Sequence, residues 1–219
     1  MKAHLVQKDV RNKDLTPFLE RAREAGVELV CFGELATSGC LYEPRDVESL
    51  ERYLKIFERY DFRIMAGLPL KVEQGLRNTY LYYHHGEYQQ YYKTKLFPPM
   101  NEPDIYVPGS KPGVWKTDFG KVGVAICYEL RFPEMFRALA DRDVDLILVP
   151  AAFPLVRIND WRDLLVQRAR ETGRRVIGIN AVGDDGTNVF GGTSMLIDPD
   201  GNIVAQADQR SETVLEIEL

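Results

Sequence analysis

Cys127 stands in the stretch VGVAICYELRFPEMF, where an apolar, β-leaning run (Val122, Val124, Ala125, Ile126) gives way to helical spacing from Arg131 to Asp141. Pro133 falls near the first turn of that helix, where a missing N–H costs little. A thiol at such a junction meets the positive end of the helix. That placement lowers the thiol pKa and favours the thiolate, the form that attacks carbonyl carbon. Most buried cysteines are inert, so a reactive role requires a group that takes the thiol proton. Imidazole is the common choice, yet the chain has only three histidines. His4 opens the first strand, and His84 and His85 stand beside Gly86 at an expected β-turn. The remaining activators are a carboxylate base and an ammonium. Glu34 ends the apolar run ELVCFGE, where a charge is costly unless it is paired or working. Lys93 and Lys95, in YYKTKLF, are two apart and share one face if the segment is extended. A solvated edge strand that uses lysine against unwanted pairing has the same pattern.

These residues are separated by alternating helical and strand patterns. Leu15, Phe18, Leu19, Ala22 and Ala25 recur at helical spacing before the strand VELVCFGE. Val47, Leu50, Leu54 and Phe57 do the same before FRIMAGLPL, and the strand-like pieces NTYLYYHHGEY and QQYYKTKLF follow. The second half repeats the theme, with a strand into Cys127, the helix from Arg131, the strand VDLILVPAAF, a helix from Trp161 to Thr172, and RRVIGINAVG. GTSMLIDPDGNIVAQ, turning at DPDG, and TVLEIEL close the chain. This order predicts one α/β domain over residues 1–219, with helices covering two stacked sheets. A single doubly wound sheet is the competing architecture, but no Gly-rich phosphate loop supports it.

Composition excludes several classes. The 219 residues are 45% hydrophobic and 28% charged, values of a soluble globular protein. A net charge of −5 and the lack of a basic run argue against a nucleic-acid surface. The tyrosines near positions 80–92 are therefore read as strand packing, since base stacking wants basic partners. No apolar stretch is long enough to cross a bilayer, and MKAHLVQKDVRNKD has no secretory apolar core, so a cytoplasmic location is expected. There Cys31, Cys40 and Cys127 stay thiols, and their spacing is not that of a zinc site.

Taken together, CFGELATSG, YYKTKLF and GVAICYELRFPE resemble, in order and spacing, the nitrilase superfamily of carbon-nitrogen hydrolases. VPAAF, WRDLLVQRARE, INAVG and GGTSMLIDPDG extend the resemblance over nearly the whole chain, and the wording is most similar to the Nit-branch amidases. The resemblance implies a four-layer α-β-β-α sandwich and a Glu-Lys-Cys constellation. In it Cys127 is the nucleophile, Glu34 the general base and acid, and Lys93, from its Lys-x-x-Leu spacing with Leu96, the cation at the tetrahedral intermediate. Glu102 in NEPDIYVPG stands where a second glutamate often follows, and the backbone N–H of Tyr128 shares the oxyanion. Arg131 and Phe153, the latter from VPAAF, are the implied substrate-binding residues. An ion pair of Arg131 with Glu129 or Glu134 is the structural alternative, and Trp161 reads as a core anchor.

The implied chemistry is amide hydrolysis through a Cys thioester, releasing ammonia and a carboxylic acid from a small carboxamide, with no metal or cofactor. Nitrile and carbamoyl hydrolysis are runners-up on the same site, and a retired member serving as a scaffold is the alternative of another class. A homodimer is expected, with the Arg131–Asp141 helix offering Phe132, Met135, Phe136 and Leu139. Three positions depart from the pattern. Cys40 replaces a common Tyr after TSG, Thr172 replaces the Asn of RAxEN, and Glu129 replaces the commoner Asp after CysTyr.

Overall fold

Two helices show how local residues begin and end the elements. Pro17 sits in the first turn of α1 (Thr16–Ala25), and Gly26 closes it in the left-handed conformation. In α2 (Leu50–Phe57) the Ser49 hydroxyl accepts from Arg52 N at 3.3 Å. The computed structural model describes residues 1–39 and 47–219; Cys40 lies outside the described residues.

The first sheet consists of β1 (Lys2–Gln7), β2 (Leu29–Phe32), β3 (Arg63–Val72), β4 (Gly75–His84) and β5 (Glu87–Tyr92), together with the C-terminal strand β14 (Thr213–Glu218). Its order is β14-β1-β2-β3-β4-β5. After a short helix α3 (Glu102–Ile105), the second sheet is built from β6 (Gly113–Thr117), β7 (Gly120–Val124), β8 (Leu146–Pro150), β9 (Arg175–Ile179), β12 (Met195–Ile197) and β13 (Ile203–Gln206). Its order is β13-β12-β9-β8-β7-β6. Helices α4 (Pro133–Ala140) and α5 (Ile158–Thr172) are its crossovers, and a small hairpin joins β10 (Val182–Asp184) to β11 (Val189–Gly191). Each sheet has three adjacent parallel strands joined by two helices, β1-β2-β3 and β7-β8-β9, flanked by antiparallel strands. The two-part repetition is therefore real in topology.

Three apolar layers hold this together. Leu5, Leu29, Cys31, Met65, Tyr80, Val122, Leu148 and Ile177 pack between the sheets. Phe18, Leu19, Phe32, Phe57 and Ile64 pack under α1 and α2, while Phe136, Leu139, Ile147, Trp161 and Leu165 pack under α4 and α5. The fold is the expected α-β-β-α sandwich. Trp161 is a core anchor, fully buried with its indole N–H donating to Thr193 O at 3.0 Å.

Three local expectations are corrected. The strand QQYYKTKLF ends at Tyr92, because Glu129 and Gly109 bind the following backbone in place of a ladder partner. The α-helix after Cys127 begins at Pro133, and Cys127–Arg131 is a 3₁₀ turn. Of the apolar residues on α4 and its lead-in, Phe136 and Leu139 are buried within the chain, leaving Phe132 and Met135 half-buried. No described helix is long and apolar enough to cross a membrane.

Candidate active site

The parallel strands of both sheets end at one place. Glu34 follows β2, the middle parallel strand of the first sheet, and Ala152–Phe153 follows β8, the middle one of the second. The two turns meet, with Ala152 N donating to Glu34 Oε2 at 3.1 Å. Loops beyond the carboxyl ends of parallel strands are where α/β proteins bind ligands. Glu34 fits its turn because Gly67 on β3 has no side chain: a Cβ there would lie 2.4 Å from Gly33 O and 2.5 Å from Leu35 N.

Lys93 leaves the edge of the first sheet with its backbone fixed on both sides. Its N–H donates to Asn78 O at 2.9 Å, and its carbonyl accepts from Gly109 N at 2.8 Å. The side chain is 1% exposed, and Nζ lies 2.8 Å from both Glu34 Oε1 and Glu102 Oε1. Asn78 Nδ2 donates to the same two oxygens, at 2.8 and 3.3 Å. Glu102 Oε2 accepts from Phe97 N at 2.6 Å. Burial opposes the Lys93 charge, but the two carboxylates outweigh it and hold the ammonium well above the ordinary lysine range. Glu102 is pushed up by burial, against the pull of Lys93 and with the like charge of Glu34 adding.

Cys127 opens its turn at φ 50°, a left-handed conformation strained for a residue with a side chain. Its Sγ is 3.9 Å from Ala152 O, so one residue touches both the sulfur, through its carbonyl, and Glu34, through its N–H. The thiol is pushed well above its usual range, by burial first and then by the Glu34 carboxylate, against the pull of Lys93. This corrects the expectation of a thiolate favoured by a helix start. A thiol shifted in that direction needs a base to take its proton. Glu34 Oε2 is left unbound by Lys93 and Asn78 and, among the described residues, accepts only from Ala152 N, the residue whose carbonyl the sulfur contacts, whereas Glu102 Oε2 is taken by Phe97 N.

These groups form the floor of a cavity of about 740 Å³, which Tyr128, Arg131 and Phe153 also line. That volume suits a small organic ligand. Lys95 is exposed, with Nζ 5.3 Å from the Phe132 ring centroid, and does not share a face with Lys93. Arg131 pairs with Asp160 at 3.1 Å and lies over the Phe153 ring at 5.5 Å, not with Glu129 or Glu134. Arg157 reaches the same Asp160 at 3.4 Å. Cys31 is buried between the sheets, apart from the site, and burial alone raises its thiol. Among the described residues no group of three His, Cys, Asp or Glu side chains is arranged to hold a metal ion.

Sequence reasoning missed three groups. Asn78 orients both carboxylates. Asn180 ties the β8 and β9 loops, accepting from Phe153 N at 2.6 Å and donating to Gly192 O at 2.8 Å. Arg168, buried in α5, donates to Leu130 O at 3.0 Å and so steadies the cysteine turn. Each is a polar residue inside an apolar pattern, the one signal that marks them in the sequence.

A family model described as carbon-nitrogen hydrolase matches residues 11–219. The 2-oxoglutaramate amidase of Bacillus subtilis (strain 168) is 29% identical over 218 residues, spanning 98% of this chain and 81% of that protein. The omega-amidase YafV of Escherichia coli (strain K12) is 34% identical over 158 residues, spanning 71% of this chain and 61% of that protein. Among solved structures, the NitN amidase from Nesterenkonia sp. AN1 superposes with a TM-score of 0.89 at 27% identity, over 100% of this chain and 92% of that one. That amidase has also been solved as a cysteine-to-alanine variant with butyramide. The motifs, the sandwich and the matched span agree: the chain belongs to the carbon-nitrogen hydrolase family, and it is a hydrolase of carbon–nitrogen bonds.

Proposed function

We propose that this hydrolase cleaves the terminal carboxamide of a small molecule that carries a carboxylate at its far end, through a thioester on Cys127. The observation that carries the reading is Lys93 Nζ at 2.8 Å from both Glu34 and Glu102, on the floor of the cavity that Cys127 lines. Glu34 takes the thiol proton as Sγ bonds to the amide carbon. The oxyanion is held by Lys93 and the Tyr128 N–H. Glu34 then protonates the nitrogen, the C–N bond breaks, and ammonia leaves a thioester behind. Water attacks the thioester while Glu34 accepts its proton. The C–S bond breaks, the acid departs, and the proton returns to sulfur. Glu102 holds Lys93 in place. No step requires a metal.

The far end of the substrate is argued from charge. Arg131 and Arg157 both line the cavity and share the single carboxylate of Asp160. Two guanidinium groups against one carboxylate leave a positive balance, which suits an anionic end group. The names of the curated relatives point the same way.

Succinamate and butyramide test this, since they differ by a carboxylate against a methyl group. The expected kcat/KM for ammonia release is about tenfold or more higher for succinamate, the worth of a charged hydrogen bond. Arg157→Ala is expected to shrink the ratio. Equal values for the two amides would overturn the far-end assignment, and turnover by Cys127→Ala would overturn the mechanism.

A further inference from the structure

Glu129 is a buried, richly hydrogen-bonded charge that the proposed reaction does not use. Its side chain is fully buried, and no salt bridge to it is found among the described residues. Five donors surround it instead. Oε1 accepts from Thr94 N at 2.6 Å, Thr94 Oγ1 at 2.7 Å, Lys95 N at 3.1 Å and Tyr91 OH at 2.8 Å. Oε2 accepts from Ile126 N at 2.6 Å and again from Tyr91 OH at 3.0 Å.

The donors come from two places that matter. Thr94 and Lys95 directly follow Lys93, and Ile126 directly precedes Cys127. Glu129 N also donates to Ile126 O at 3.0 Å, so the residue closes its own turn around Cys127. One carboxylate thus joins the peptide beside the ammonium to the peptide beside the sulfur. A desolvated carboxylate with several N–H donors is a rigid strut, because breaking any contact leaves a buried charge undersatisfied.

We infer that Glu129 is a positioning residue that fixes the Lys93 ammonium against the Cys127 sulfur. The inference rests on the proposed reaction, in which Lys93 holds the oxyanion formed at Cys127. It also accounts for the strained φ of Cys127, which persists only where the surroundings over-determine it. An uncharged amide of the same size cannot replace the carboxylate. Its NH₂ would face the Ile126 N–H or the Thr94 N–H, donor against donor.

The test is Glu129→Gln, read in two ways. Its kcat for succinamate is expected to fall about 10- to 100-fold with KM within a few-fold, since misplaced oxyanion donors act on the transition state. The second reading is the pH dependence of Cys127 alkylation by iodoacetamide. The charged groups acting on the sulfur are Glu34, Lys93 and Glu102, and Glu129 adds a carboxylate on the same turn. Loss of the Glu129 charge alone would move the alkylation profile to lower pH, by removing a negative neighbour. Displacement of Lys93 would move it to higher pH, the direction also expected of Lys93→Ala, and this alkaline shift is the expected result. A folded Glu129→Gln with wild-type kcat, or with an acid shift, would overturn the inference. If Glu129→Gln does not fold, Thr94→Val with Tyr91→Phe removes two of the five donors and leaves the carboxylate. A smaller kcat loss and alkaline shift are then expected, and unchanged values would overturn it. If the wild type releases no ammonia from any amide, the reaction reading fails, and the alkylation profile still decides the role of Glu129.

Discussion

A lysine ammonium sealed between two carboxylates differs from its neighbour two residues on, which lies over a ring at the surface. Lys93→Ala is expected to lower kcat by about 10²–10³ or more, the usual loss of an oxyanion donor, and Lys95→Ala to stay within a few-fold. Steady-state kinetics on the pair checks this. A larger loss in Lys95→Ala would transfer the role to the exposed lysine. The Cys127 thiol, held up by burial and by Glu34, gives a second expectation at this scale. Its alkylation is slow at pH 7 and rises with pH at values above those of an unperturbed thiol, about 8.5. Rapid alkylation at pH 6 would show a resting thiolate. Cys127, Glu34, Lys93 and Glu102 were all legible in the sequence, because each is a chemically distinctive type in a recognisable motif. Arg131 was legible as a site residue but not in its pairing. Its partner Asp160 lies 29 residues away, and nearest-neighbour reasoning favoured Glu129 and Glu134. Asn78 was not legible, since its role appears only when the sheet sets β4 next to β5 and one strand away from the end of β2, across Gly67 of β3.

At the scale of elements, the site depends on backbone that approaches without side chains. Gly67→Ala would drive a Cβ to 2.4 Å from Gly33 O and 2.7 Å from Glu34 Cα, both rigid main-chain atoms. It is expected to destabilise the fold by about 1–3 kcal/mol, and to lower kcat by displacing Glu34, as overpacking does. Thermal unfolding and kinetics on the variant check both. Lys8, just past β1, gives an opposite case. It is 5% exposed, its Nζ has no hydrogen-bond partner among the described residues, and burial pushes its pKa down from 10.5 to about 8. A depressed folded pKa means that the unfolded chain binds more protons between about pH 8 and 10.5. Stability therefore rises through that window, and below it the buried charge costs the full difference. Lys8→Met is expected to raise stability at pH 7 by about 1–3 kcal/mol and to flatten the rise. An unchanged or lower Tm would contradict this. Period-2 and helical patterns made the long strands and α1, α2 and α5 legible. They overran at Lys93–Phe97, where a buried carboxylate and a close glycine contact replace the sheet ladder. No local pattern encodes such distant partners.

At the scale of the whole molecule, two sheets of similar topology place the ends of their parallel strands together, one contributing the base and the other the peptide that orients it. The layered fold was legible because its alternation is written twice along the chain. The cavity was not, since Arg131, Arg157 and Asp160 converge only once α5 is packed. The central claim is that one cysteine at this convergence carries the acyl group. Rapid acid quench of the enzyme with succinamate, followed by peptide mass spectrometry, tests it most directly. The account predicts that the peptide containing Cys127 gains the mass of the substrate minus ammonia, and that Cys127→Ala shows neither this adduct nor ammonia release. Ammonia released at the wild-type rate by Cys127→Ala, or the adduct on any other residue, would contradict it.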